Sequence, residues 1–172
     1  MISKKMQDAI NTQINDELWS AYLYLSMSMD AEAKGLHGVA HWMFVQWKEE
    51  QDHARILQQY MFDQNAHVML ITITEVPTKW NSLISMFKDT LSHEKQITES
   101  FNRLSAMALD EGDYATFSRL QWFVDEQVEE ESTVCDIIDQ IELVGSEKVG
   151  IYCIDNQLGK RQYVPAEPLE CD

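Results

Sequence analysis

Apolar side chains recur along most of this chain at alternating steps of three and four, the spacing that lines one face of an α-helix. The first stripe reads Ile10, Ile14, Glu17, Ala21, Tyr24 and the second Val39, Met43, Gln46, Glu50, His53, Leu57, Tyr60. The third reads Phe87, Thr90, Glu94, Ile97, Phe101, Leu104, and the fourth Leu120, Val124, Gln127, Glu130, Val134, Ile138, Ile141. Breakers are scarce, with six Gly, three Pro and no Pro before Pro77. The pattern predicts an all-α protein with long helices over residues 3–33, 37–64, 82–109 and 113–144. Ser3 and Asp113 serve as N-caps, and Gly35 and Gly145 lie just past helix ends. A short fifth helix is expected over 146–158. At 172 residues the chain fits one domain. We read it as residues 1–160 followed by an irregular tail, 161–172.

Connection lengths restrict the topology. The first and second helices, and the third and fourth, are joined by a few residues each, so each pair forms an antiparallel hairpin. Residues 65–81 are different. They contain the β-favouring run Val68-Met69-Leu70-Ile71-Thr72-Ile73-Thr74 and then Pro77. Extended, this piece covers about 55 Å, against about 42 Å for a helix of ~28 residues. It can therefore run the length of the bundle and give an up-down-down-up arrangement with one long crossover. Its apolar side chains would be exposed on a single bundle, so it is expected to pair with a second subunit.

Each stripe is interrupted near its middle by ionisable residues. One Glu on such a stripe is ordinarily a bundle-edge residue in water. Four at mid-length, Glu17, Glu50, Glu94 and Glu130, are harder to place at an edge. Gathered in one low-dielectric layer, they would repel unless neutralised by protonation or by metal. Glu50 and His53 lie three apart on one helix face and can converge on one ion. Four carboxylates and one imidazole suit two irons with open positions for a small oxidant, whereas closed zinc sites favour Cys and His.

Composition narrows the chemistry. The net charge of −16 argues against a nucleic-acid partner and is compatible with hard cations, although most acidic surfaces serve only solubility. No apolar run is long enough to span a bilayer, and the N-terminus lacks the apolar stretch of a secretory signal. Cys135, Cys153 and Cys171 are odd in number and form no C-x-x-C pair. They point to a reducing, cytoplasmic setting rather than a disulfide framework.

With these residues in hand, the chain resembles the bacterial non-haem ferritins over roughly residues 1–160. The resemblance rests on Glu17-Leu18-Trp19-Ser20 with Tyr24, on Glu49-Glu50-Gln51-Asp52-His53, on His93-Glu94, and above all on the block from Leu120 through Val124-Asp125-Glu126-Gln127-Val128-Glu129-Glu130 to Glu131. It implies a ferritin-like four-helix bundle that stores iron. Glu17, Glu50 and His53 would hold one iron. Glu50 would bridge to a second, held also by Glu94 and Glu130 with Gln127 beside it. Glu49, Glu126 and Glu129 would form a third site. Tyr24 would supply an electron, or else serve as a buried tyrosine bonded to a ligand carboxylate. The implied activity is a ferroxidase using dioxygen or hydrogen peroxide, and the implied assembly is a hollow shell of 24 copies filled with ferric mineral. Bacterioferritins carry a second Glu-x-x-His, where this chain has Gln127 and Glu130. They also ligate haem through a Met at the position of Asp52, so no haem is expected. A rubrerythrin-type peroxidase would add a C-x-x-C pair. A DNA-coating mini-ferritin would add a basic arm, where this N-terminus offers only Lys4 and Lys5. A purely structural bundle leaves the mid-stripe carboxylates unexplained.

Overall fold

The computed structural model describes residues 2–169; Cys171 and the rest of 170–172 lie outside them. The elements, in order, are α1 (Lys4–Ala33), α2 (His37–Asp63), α3 (Leu83–Asp110), α4 (Tyr114–Val144), α5 (Lys148–Leu158) and a 3-10 turn (Glu167–Leu169). The expected boundaries differ by a residue or two because capping residues lie outside the helices they start. Ser3 accepts the Met6 N–H at 3.0 Å, and Asp113 accepts the Thr116 N–H at 3.1 Å. Ser82 and Ser85 form a reciprocal capping box at the start of α3. α1 closes on Gly35, whose φ of 75° is cheap only for glycine. Leu36 N–H then reaches back to Ala31 O, and Gly35 N–H to Glu32 O, at 3.0 Å each, satisfying the last carbonyls.

Two helix hairpins, α1 with α2 and α3 with α4, pack side by side. The direction of the second hairpin follows from the crossover. Asn11 donates to His67 O at 3.0 Å and accepts from Met69 N–H at 2.7 Å. Asn15, one turn on, donates to Met69 O and accepts from Ile71 N–H, both at 2.9 Å. Farther along α1, Ser26 donates to Pro77 O at 2.6 Å, and Asp30 accepts from Trp80 N–H at 3.1 Å. The crossover thus runs parallel to α1, and α3 starts at the end where α2 starts. The bundle is up-down-down-up, as the linker length required.

The β-favouring run is extended, but no strand occurs among the described residues. Two asparagine amides on α1 satisfy part of its backbone in place of a neighbouring strand. Met69, Leu70, Ile71 and Ile73 remain exposed.

The bundle interior is divided. One apolar cluster includes Tyr24, Met27, Val39, Met43, Phe87 and Ile141, and another includes Ile10, Ile14, Leu57, Phe101 and Phe123. The mid-stripe ionisable residues lie at the level between them. All four expected stripes are buried except at Val124, which is half-buried; the adjacent Phe123 takes the core position by stacking on Phe101 at 4.6 Å between ring centroids.

α5 docks across the beginning of α2. Val39 N–H donates to Asp155 Oδ1 at 2.9 Å, and a Cβ on Gly38 would fall 1.6 Å from Asp155 O. No side chain fits there without separating the helices. Gly38→Ala should therefore cost about 1–3 kcal/mol. It should speed amide exchange at Ile154 and Leu158 while leaving the four long helices protected, a pattern that hydrogen exchange resolves by residue.

Candidate metal centre

The helical periodicity that builds the bundle also delivers its polar residues inward, because residues three and four apart share a face. Glu17 from α1 and Glu50 and His53 from α2 are each at most 2% exposed. Among the described residues they form the group whose candidate ligand atoms all lie within 4.8 Å of one another. His53 Nδ1 is 3.5 Å from Glu17 Oε2 and 3.6 Å from Glu50 Oε2. Glu17 Oε1 accepts from Gln13 Nε2 at 2.6 Å, while Glu17 Oε2 is buried without a hydrogen-bond partner.

Glu94 from α3 and Glu130 from α4 complete the layer, but their oxygens are turned into hydrogen bonds. Glu94 accepts from the Tyr24 hydroxyl, and from Gln127 Nε2 at 3.0 Å. Glu130 accepts from Gln46 Nε2 at 2.9 Å. Aromatic rings wall the site; Trp122 and Phe123 meet the His53 ring edge-on, 5.6 Å and 6.0 Å between centroids.

Burial dominates the electrostatics. It drives the Glu50 carboxyl well above the usual range, raises Glu94, and carries Glu130 to about 7 with help from the charge of Glu94. Burial alone would depress His53, but the Glu17 and Glu50 carboxylates beside it hold its pKa well above the ordinary value. Burial, then the charges of Glu94 and Glu50, keeps Tyr24 a neutral phenol.

The outlying acidic residues differ. Glu49 and Glu126 are half-buried and Glu129 is exposed. Burial raises Glu49 to about 7 even though the Arg161 guanidinium opposes it. Burial also raises Glu126, and the charge of Glu129 adds to it. The structure thus brings Glu17, Glu50 and His53 into one cluster, adds Tyr24, Glu94, Gln127 and Glu130 around it, and leaves Glu49, Glu126 and Glu129 toward its rim.

Residues beyond the predicted set also belong here. Gln13 and Gln46 each lie four positions before a site glutamate, and that offset could have identified them. Arg161, which bonds Gln46 and Glu49, follows α5 and has no comparable local signal.

Comparison with known proteins agrees with this architecture. Residues 7–144 match the family model described as ferritin-like domain. A bacterial non-heme ferritin of Bacteroides fragilis is 42% identical over 161 residues, covering 94% of this chain and 100% of that one. Another from Campylobacter jejuni is 39% identical over 158 residues, covering 92% and 95%. An open pore ferritin from the archaeon Archaeoglobus fulgidus superimposes with a TM-score of 0.93 at 41% identity, covering 94% of this chain and 100% of that one.

The pKa shifts set a testable pH dependence. Glu49 and Glu130 titrate at about 7 in the folded chain against an ordinary 4.5. Between those values the folded state binds more protons than the unfolded one, so stability falls as pH rises from about 4.5 to 7. The raised His53 acts in the same direction, its contribution being lost as pH passes its elevated pKa. Metal-free protein should melt higher at pH 5.5 than at pH 7.5, and Glu130→Gln should flatten that slope. A melting temperature that rises across this interval would contradict the assignment. An inward-facing carboxylate layer on an up-down-down-up bundle, matched by a family model over most of the chain and by relatives aligned along nearly their whole length, places this chain in the ferritin family.

Proposed function

We propose that this ferritin oxidises Fe(II) at a di-iron centre within each subunit and passes the Fe(III) product to a mineral store inside a hollow assembly. The observation that carries this reading is the buried, unpartnered Glu17 Oε2 facing Glu50 and His53. A buried carboxylate oxygen without a donor is costly unless a cation comes to it. Carboxylate oxygens with one imidazole suit iron and leave positions for an oxidant.

In this reading Glu17, Glu50 and His53 hold one iron. Glu50 bridges to the second, which Glu94 and Glu130 also hold, with Gln127 alongside. Two Fe(II) ions carry four positive charges and cancel the four carboxylates. Binding displaces the protons that burial keeps on Glu50 and Glu130 and the one that the neighbouring carboxylates keep on His53. Each iron then gives one electron. Dioxygen takes both electrons and two protons to become hydrogen peroxide; hydrogen peroxide as oxidant would instead become two waters. Afterwards the ions carry six charges against four; hydroxide from water makes up the difference, and ferric hydrolysis draws the product toward the mineral. Glu49, Glu126 and Glu129 offer a third, rim-side set of oxygens on the way out. Tyr24, bonded to Glu94, is placed to supply a further electron.

The exposed Met69, Leu70, Ile71 and Ile73 on the crossover are, in this reading, covered by a second copy. The shell would hold 24 subunits. No helix among the described residues is long and apolar enough to cross a membrane, and a cytoplasmic location suits exposed, unpaired Cys135 and Cys153.

Glu50→Ala separates a metal-bridging role from a structural one. Fast Fe(II) oxidation in stopped flow should fall more than in variants of His53 or Glu94, each of which touches one iron. The metal-free variant should melt close to the parent. Removing the desolvation cost of a buried carboxyl offsets a small cavity worth about 1–2 kcal/mol. Parent-like oxidation with a loss of about 3–5 kcal/mol would make Glu50 an ordinary ion-pair partner.

Haem should be absent. Asp52 stands where a thioether ligand would be needed, and its carboxylate is already engaged by the Tyr163 hydroxyl at 2.6 Å. Purified protein should show no Soret band and acquire none on incubation with haem; a stoichiometric band would refute this.

A further inference from the structure

Arg161 lies three residues past the end of α5, and its side chain turns back into the bundle. Its guanidinium donates to Gln46 Oε1, and to Glu49 Oε2 at 2.6 Å. It lies over the Trp42 ring, 4.7 Å from the centroid. Gln46 hands the contact on to Glu130. A permanent positive charge therefore rests on one proposed third-site carboxylate and lies one side chain from a proposed ligand of the iron pair.

The chain beyond Arg161 is also tied down. Tyr163 donates its hydroxyl to Asp52 Oδ2, and the Ala166 N–H donates to the same oxygen at 3.3 Å. Lys48 lies over the Tyr163 ring at 4.9 Å, and Leu169 packs against the apolar cluster that contains Leu57 and Phe101. Asp52 is 3% exposed. Residues 161–169 thus form a strap along α2, and its anchors hold the guanidinium where it is.

A metal ion and a guanidinium cannot use the same Glu49 oxygen, and two cations held this close repel. Arginine does not escape by losing its proton, because its pKa lies far above any working pH. We propose that Arg161 is a built-in counter-ion of Glu49 that competes with iron for the third site, so that the strap over residues 161–169 sets how weakly that site holds its ion. The proposal rests on the third-site reading above. It makes the site an intermediate stop, since an ion there is opposed by a charge that returns as the ion leaves. The coupling is reciprocal: an ion on Glu49 loosens the strap as much as the strap weakens the ion.

Calorimetric titration of the metal-free, assembled, full-length protein with terbium(III), a redox-silent hard cation that takes oxygen ligands, tests this. The difference between the parent and Glu49→Gln isolates binding at Glu49. Arg161→Gln removes the charge and keeps a hydrogen-bonding side chain; it should tighten that component about tenfold. Tyr163→Phe leaves the guanidinium and cuts one anchor, and should tighten it by a smaller factor. In the parent, terbium should speed exchange of the Ala166 amide. Unchanged affinity in Arg161→Gln, with Glu49→Gln still abolishing the component, would overturn the competition and leave the third site standing. If Glu49→Gln titrates like the parent, no ion binds at Glu49 and both readings fall. If Arg161→Gln does not assemble, the Tyr163→Phe titration and the parent's exchange decide, and no change in both overturns the proposal.

Discussion

Four glutamates buried in one layer with one imidazole is the constraint around which the molecule is arranged. Each carboxylate loses several kcal/mol of hydration on burial, and neighbouring charges make matters worse. The structure answers with three devices. Amide side chains donate to Glu17, Glu94 and Glu130 from Gln13, Gln127 and Gln46. A phenol donates to Glu94. Elevated pKa values keep part of the layer neutral until cations arrive. All three are reversible, as the proposed uptake and release of iron requires.

The surrounding apolar packing makes that polar layer tolerable. Two hydrophobic clusters flank it and carry the burial that holds the helices together. The polar positions are therefore spared the task of stabilising the fold. They also sit on helices rather than loops, so their geometry is set by packed elements. The rim differs in kind: Glu49 lies beside an arginine and is partly exposed, so an ion at the proposed third site would face a competitor that the interior lacks.

Much of this was legible in the sequence because helix periodicity is a strong signal and the site is written in the same period. Glu17, Glu50, Glu94 and Glu130 stand out as charges on apolar stripes, and the length of the crossover dictates the direction of the second hairpin. Periodicity puts Val124 on the fourth stripe, but its apolar neighbour Phe123 takes the core position, because only packing reveals the stacking on Phe101. The fate of the β-favouring run was hidden for another reason. Its partners are Asn11 and Asn15, more than fifty positions away. Arg161 was invisible on the same ground, since it meets Glu49 across 112 positions with no pattern linking them.

The paired asparagines on α1 also bear on how this surface meets anything laid against it. They hold alternate backbone groups of residues 67–71 from one side, so the apolar side chains between them are already fixed in a row. A flexible loop of that composition would give up conformational freedom on being covered, at about 1–2 kcal/mol for each backbone residue ordered. Here the ordering belongs to folding, and the ridge is rigid beforehand. Contact with it is a docking of solid surfaces, with shape complementarity rather than chain ordering deciding whether a neighbour fits.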